Sequence, residues 1–203
     1  MSRQTEAMEK ALSQIKDALG FVKNGYYYSR PGIRNEFIEL LDLRTNGYGR
    51  EQHIWIQTCI HHIKVKDLHN QLAEKKLPET VSLLGLGYID PLFSNDYELT
   101  FTKIAEIPKV LNEIESLFNN KFLSFYNEYE NLEKIIDYYE KNYIDLERRF
   151  NILPLLYYLT GKPEKGIEIM EPLLKFGLVS GEFNKHFFEN YCNYINISVN
   201  FNV

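Results

Sequence analysis

The chain has 203 residues, 44% of them hydrophobic and 25% charged, and a formal net charge of −5. That length and apolar share suffice for a packed domain and exclude disorder as the dominant state. No apolar run follows the N-terminal MSRQTEAMEK, and no eighteen apolar residues follow one another, so neither a secretory signal nor a membrane span is expected.

In MEKALSQIKDALGF, Met8, Ala11, Leu12, Ile15, Ala18 and Leu19 repeat at the spacing of a helix with one buried stripe, and Gly20 supplies its stop. NGYYYSRPG, RNEFIELLDLRTNGYG and EQHIWIQTCIHHIK then read as three antiparallel strands. Asn46 and Gly47 fall where a hairpin loop would use positive φ. Leu68 and Leu72 suggest a short helix from about Asp67 to Lys76, ended by Pro78. TVSLLGLGYI and DYELTFTKI offer two more strands, the second alternating Tyr97, Leu99 and Phe101 with Glu98, Thr100 and Thr102. Helical stripes follow at Val110, Leu111, Ile114, Leu117 and Phe118, with Pro108 in the first turn, and at Leu132, Ile135, Ile136 and Tyr139.

RRFNILPLLYYLTG and PEKGIEIMEPLLKFG form a helical hairpin of tetratricopeptide style at residues 147–176, without the second copy that a repeat array needs. A last helix and an Asn-rich tail close the chain. The expected fold is α+β: a mostly antiparallel sheet of about five strands packed with helices, followed by a helical C-terminal half. Residues 1–203 read as a single domain with one continuous core, strand-rich over 1–104 and helical over 105–203.

The stretch from His53 to Lys64 concentrates three histidines, a cysteine and the sole tryptophan. On a strand, His53, Trp55, Gln57, Cys59 and His61 share one face, and Ile54, Ile56, Thr58, Ile60 and His62 share the other. His53 and His61 would then stand roughly 26 Å apart at about 3.3 Å per residue, so no metal site is expected from this strand. Cys59 and His61 are candidates for a nucleophile–base pair, but neighbours two apart on one strand lie about 7 Å apart and point in parallel, which is poor geometry for one. Cys59 and Cys192 have no CxxC partner and suit reduced thiols in a cytoplasmic location.

A nucleic-acid role would draw on Lys23, Tyr26, Tyr28 and Arg30, with rings stacking on bases and cations holding phosphates. Alternation points successive tyrosines to opposite sides, so no continuous platform follows. LLGLGYI has neither GxxxxGK[ST] nor GxGxxG, and no cofactor is expected. Charge is uneven: residues 1–66 carry 10 Lys+Arg against 7 Asp+Glu, and residues 67–203 carry 13 against 21. That balance argues against a phosphate-backbone binder and favours a basic protein partner. The lead site is an acidic, tyrosine-bearing helical surface made of Tyr126, Glu128, Tyr129, Glu130, Glu133, Asp137, Tyr138 and Glu140, with Tyr143 nearby.

The order of ALGFVKNGYYYSRPG, EFIELLDLRTNGYGREQHIWIQTCI, FLSFYNEYENLEKIIDYYE and LLYYLTGKPEKGIEIMEPLL over residues 8–175 resembles a bacterial domain-of-unknown-function family, some members of which look like toxin-immunity candidates. The resemblance implies a toxin-immunity role and carries no catalytic residues; with the failed site geometries, the charge balance and the reduced thiols, the expectation is a non-catalytic, cytoplasmic protein-binding module.

Overall fold

The computed structural model describes residues 3–24, 27–48, 51–73, 83–86, 98–142 and 146–197. The fold is α+β, and the chain gathers into two compact units. The first comprises residues 1–61 and 84–130, the second residues 62–83 and 131–203.

In the first unit, helix α1 (Arg3–Ala18) buries Met8, Leu12 and Ile15, the stripe expected from its periodicity. Gly20 ends it with φ +78°, a conformation glycine adopts without the Cβ clash of other residues. Strands β1 (Val22–Asn24), β2 (Tyr27–Pro31), β3 (Phe37–Tyr48) and β4 (Glu51–His62) follow, then β5 (Leu84–Leu86) and β6 (Glu98–Phe101). Their order is β1-β2-β3-β4-β5, with β6 also on β4. Val22 pairs with Ser29, Ser29 with Leu40, Cys59 with Gly85 and Ile54 with Leu99, all antiparallel. Most of TVSLLGLGYI, with the turn DPLFSND, lies outside the described residues.

Alternation along β4 is as the sequence implies. Gln52, Ile54, Ile56, Thr58 and Ile60 are buried while His53, Trp55, Gln57 and Cys59 are half-buried. The β3–β4 hairpin falls within the expected TNGYGRE join, but its turn lies beyond Asn46 and Gly47, since β3 runs through both residues to Tyr48 and β4 starts at Glu51. Gly47 is there for a close approach, since a Cβ on it would stand 2.7 Å from Gln52 Nε2. Helices α3 (Ile107–Leu117) and α4 (Leu123–Tyr129) flank a π-helical turn, Phe118–Phe122. They contribute Ile114, Phe118, Phe122, Phe125 and Tyr126 to the unit's core.

In the second unit, α2 (Ile63–Leu72) starts directly after β4, earlier than Asp67, because Val65 and His69 extend the buried stripe of Leu68 and Leu72. Helix α5 (Leu132–Lys141) is capped by Asn131, whose side chain accepts from the Glu133 and Lys134 amides. Helices α6 (Leu146–Asn151), α7 (Leu153–Leu159), α8 (Pro163–Lys175) and α9 (Glu182–Tyr194) complete it. The expected hairpin at 147–176 is α6 to α8, turned at Gly161 with φ +76°.

Gly166 on α8 lets that helix meet α7 and α9. A Cβ there would stand 2.7 Å from Tyr191 Cζ and 3.0 Å from Pro154 Cβ. Tyr191 cannot yield cheaply, because its hydroxyl donates to the carbonyls of Pro154 at 3.0 Å and Pro163 at 2.9 Å. Alanine's better helix propensity, worth about 1 kcal/mol, opposes an overpacking cost of about 1–3 kcal/mol. Gly166→Ala is therefore expected to destabilise the protein by up to about 2 kcal/mol in urea unfolding, and a stabilised variant would show that the contact relaxes freely.

Candidate functional site

Three clusters hold the chemistry-bearing side chains. The first is a cleft of about 380 Å³ in the second unit, where Glu133, Asp137 and Glu140 of α5 and Tyr157 of α7 stand among three lysines, Lys134 of α5 and Lys162 and Lys165 around the start of α8, with Asn131 and Ile136 completing the lining. The Tyr157 hydroxyl donates to Glu140 Oε1. Burial and then this carboxylate hold the Tyr157 phenol well above its ordinary range, so it remains a donor at any ordinary pH. Lys162 Nζ stands 3.6 Å from Glu133, Lys165 Nζ 4.0 Å from Glu140, and Lys141 Nζ 3.6 Å from Asp137.

The expected acidic surface thus divides. Glu133, Asp137 and Glu140 are exposed on the second unit beside half-buried Tyr138, whereas Tyr126, Glu128, Tyr129 and Glu130 belong to the first. Glu128 is exposed and Tyr129 half-buried, its phenol raised by burial and by Glu128. Tyr126 and Glu130 are inside, at 0% and 3% exposure, and offer nothing to a partner. Tyr143 lies outside the described residues. Acidity also lies elsewhere than expected: residues 131–203 carry 8 Lys+Arg against 10 Asp+Glu, while residues 84–130 carry 3 against 8.

The second cluster, in the first unit, was not foreseen. Arg30 Nε donates to Glu39 Oε2 at 2.5 Å and its Nη1 to the Leu19 carbonyl at 2.7 Å. Its guanidinium carbon lies 4.7, 5.0 and 5.9 Å from the ring centres of Phe21, Phe118 and Tyr126. Arg30 is therefore committed inside the unit, not presented to phosphates as a nucleic-acid role would require. Tyr26 is outside the described residues, Tyr28 lies under Lys16 Nζ at 3.4 Å, and Lys23 is exposed. Burial pushes the Glu39 carboxyl up to about 7 against the pull of Arg30, and Glu130 pushes it further up. Glu130 Oε2 accepts the Arg34 amide at 2.9 Å, and its buried carboxyl is close enough to Glu39 to accept from it when Glu39 is protonated. Gly32 makes room for this carboxyl: a Cβ there would stand 2.8 Å from Glu130 Cδ.

The third cluster corrects the argument from strand spacing. Cys59 Sγ lies 3.7 Å from His61 Nε2, because side chains lean along the strand and close the distance that separates their backbones. His53 is engaged elsewhere, with Nδ1 2.5 Å from Glu98 Oε1 and Nε2 3.7 Å from Glu51. Among the described residues, no group of three or more His, Cys, Asp and Glu is arranged to hold a metal ion, and no helix is long and apolar enough to cross a membrane.

No family model matches the chain, nor does any curated protein or solved structure. The class that fold and clusters define is an α+β protein with a polar cleft on its helical unit.

Proposed function

We propose that the chain is a non-catalytic, cytoplasmic protein-binding module that takes a basic segment of its partner into the cleft between α5, α7 and α8. The carrying observation is that the cations facing Glu133 and Glu140 are held only loosely: Lys162 and Lys165 stand 3.6 and 4.0 Å away and are themselves half exposed. Exposed pairs of this kind contribute about 0–1 kcal/mol each, so an incoming arginine can displace Lys162 or Lys165 at little cost. Its planar fork then makes two charge-assisted bonds where the lysine made one loose contact. Asp137 extends the acidic row, and Tyr157 fixes the Glu140 carboxylate. Neutralisation of a toxin's basic surface is the form of binding implied by the family resemblance. Cys59 and Cys192 are not joined in a disulfide, an arrangement that suits a reducing compartment.

The test is a Glu133→Lys, Asp137→Lys, Glu140→Lys triple variant against the partner captured from the native host. A folded variant is expected to lose at least about tenfold in affinity, since close charge pairs at interfaces couple by more than about 1.5 kcal/mol. Unchanged affinity in a folded variant would make α5 an ordinary solvated face.

A further inference from the structure

The Cys59 and His61 pair has a chemistry that partner binding leaves unused. Cys59 is half-buried on β4 and faces Gly85 across the ladder, a residue with no side chain to lay over the sulfur. His61, 5% exposed, brings Nε2 to 3.7 Å from Sγ. In the tautomer with its hydrogen on Nδ1, Nε2 is an acceptor aimed at the thiol. The second thiol differs: Cys192 is 3% exposed, and burial pushes it up to about 11, which keeps it protonated and inert.

We propose that Cys59 and His61 form a thiol–imidazole pair that makes Cys59 a site of reversible oxidation by peroxide. His61 Nε2 takes the thiol proton, and the thiolate attacks one oxygen of hydrogen peroxide. The S–O bond forms as the O–O bond breaks, and the departing hydroxide collects the proton from His61 and leaves as water. Sulfur is oxidised by two electrons to the sulfenic acid while the peroxide is reduced. A small-molecule thiol reverses the change: its sulfur attacks Cys59 Sγ, water leaves, and a second equivalent resolves the mixed disulfide to restore Cys59.

Two titratable neighbours among the described residues do not oppose this. Tyr126 on α4 is kept neutral by burial and sets no negative charge against the thiolate. Asp42 on β3 accepts from Gln57 at 2.8 Å and from Arg44 at 2.6 Å, so its charge is compensated on its own strand pair.

Hydrogen peroxide with dimedone trapping, read by peptide mapping of the full-length protein, tests the proposal. At pH 7 a free thiol is only a few per cent thiolate, so Cys59 is expected to react about tenfold faster in the folded protein than in urea. His61→Asn should return the rate to the unfolded value and steepen its rise between pH 6 and 8, with circular dichroism unchanged. Cys59→Ser should abolish trapping. Folded Cys59 reacting no faster than unfolded, or His61→Asn leaving rate and pH profile unchanged, overturns the proposal. Should His61→Asn not fold, the comparison of folded with unfolded wild type decides alone.

Discussion

Arg30→Met is expected to destabilise the protein by about 3 kcal/mol at pH 8, and by distinctly less at pH 5. The substitution keeps the aliphatic packing against Phe21, Phe118 and Tyr126 but removes the cation that, among the described residues, hydrogen-bonds Glu39, a residue 2% exposed. Above pH 7 it leaves a buried carboxylate without that cation and beside the buried Glu130 carboxyl. At pH 5 Glu39 is neutral, and the loss reduces to the hydrogen bonds from Arg30 to the neutral Glu39 carboxyl and to the Leu19 carbonyl, with the cation–ring contacts. Replacing both partners, Arg30→Met with Glu39→Leu, should restore most of the stability, because an apolar pair of similar volume carries no desolvation penalty. Urea unfolding at the two pH values reads this directly. An equal loss at both, with no rescue by Glu39→Leu, would show that Arg30 acts through packing alone.

The sheet was legible because its two faces demand opposite residues: the Ile54, Ile56, Thr58, Ile60 row reads inward from the letters alone. The same logic marks Glu39, which shares a face with Phe37, Leu41 and Leu43, all buried. A carboxylate at a core position of an apolar alternation is the signal that could have revealed the Arg30 cluster. Its second acid was not legible. Glu130 follows exposed Glu128 in a helical acidic run, and only the helix end, where Glu130 takes φ −71° and ψ 48°, turns it inward towards Gly32 and the Arg34 amide. The cleft was half visible: the α5 acids follow from the stripe of Ile135, Ile136 and Tyr139, but Tyr157, Lys162 and Lys165 reach them only through the packing of α7 and α8. The Cys59 and His61 contact depends on side-chain lean, which backbone spacing does not carry.

Stability in the first unit should fall as pH rises from about 4.5 to about 7. The Glu39 carboxyl has an ordinary value of 4.5 in the unfolded chain and is pushed up to about 7 in the fold, chiefly by burial. The folded state therefore binds this proton more tightly than the unfolded one. Its contribution is fully present below the lower value and is lost through the higher, a difference of about 3 kcal/mol. Two other groups work in the opposite sense. Burial lowers His69, so the unfolded chain protonates first as pH falls, and half-buried Glu106 is lowered by the Thr102 and Lys103 amides. The readout must therefore be the difference between wild type and Glu39→Gln, in which those groups cancel. The glutamine carbonyl still accepts from Arg30 and mimics the protonated acid, so the two proteins should be close in stability at pH 4.5. By pH 8 the variant should be the more stable by about 3 kcal/mol, the wild type having either ionised Glu39 inside the core or held its proton against the solution. Denaturant unfolding from pH 4 to 8 measures that difference; a gap that stays constant with pH would mean that Arg30 compensates the ionised carboxylate fully, and that burial does not govern this acid.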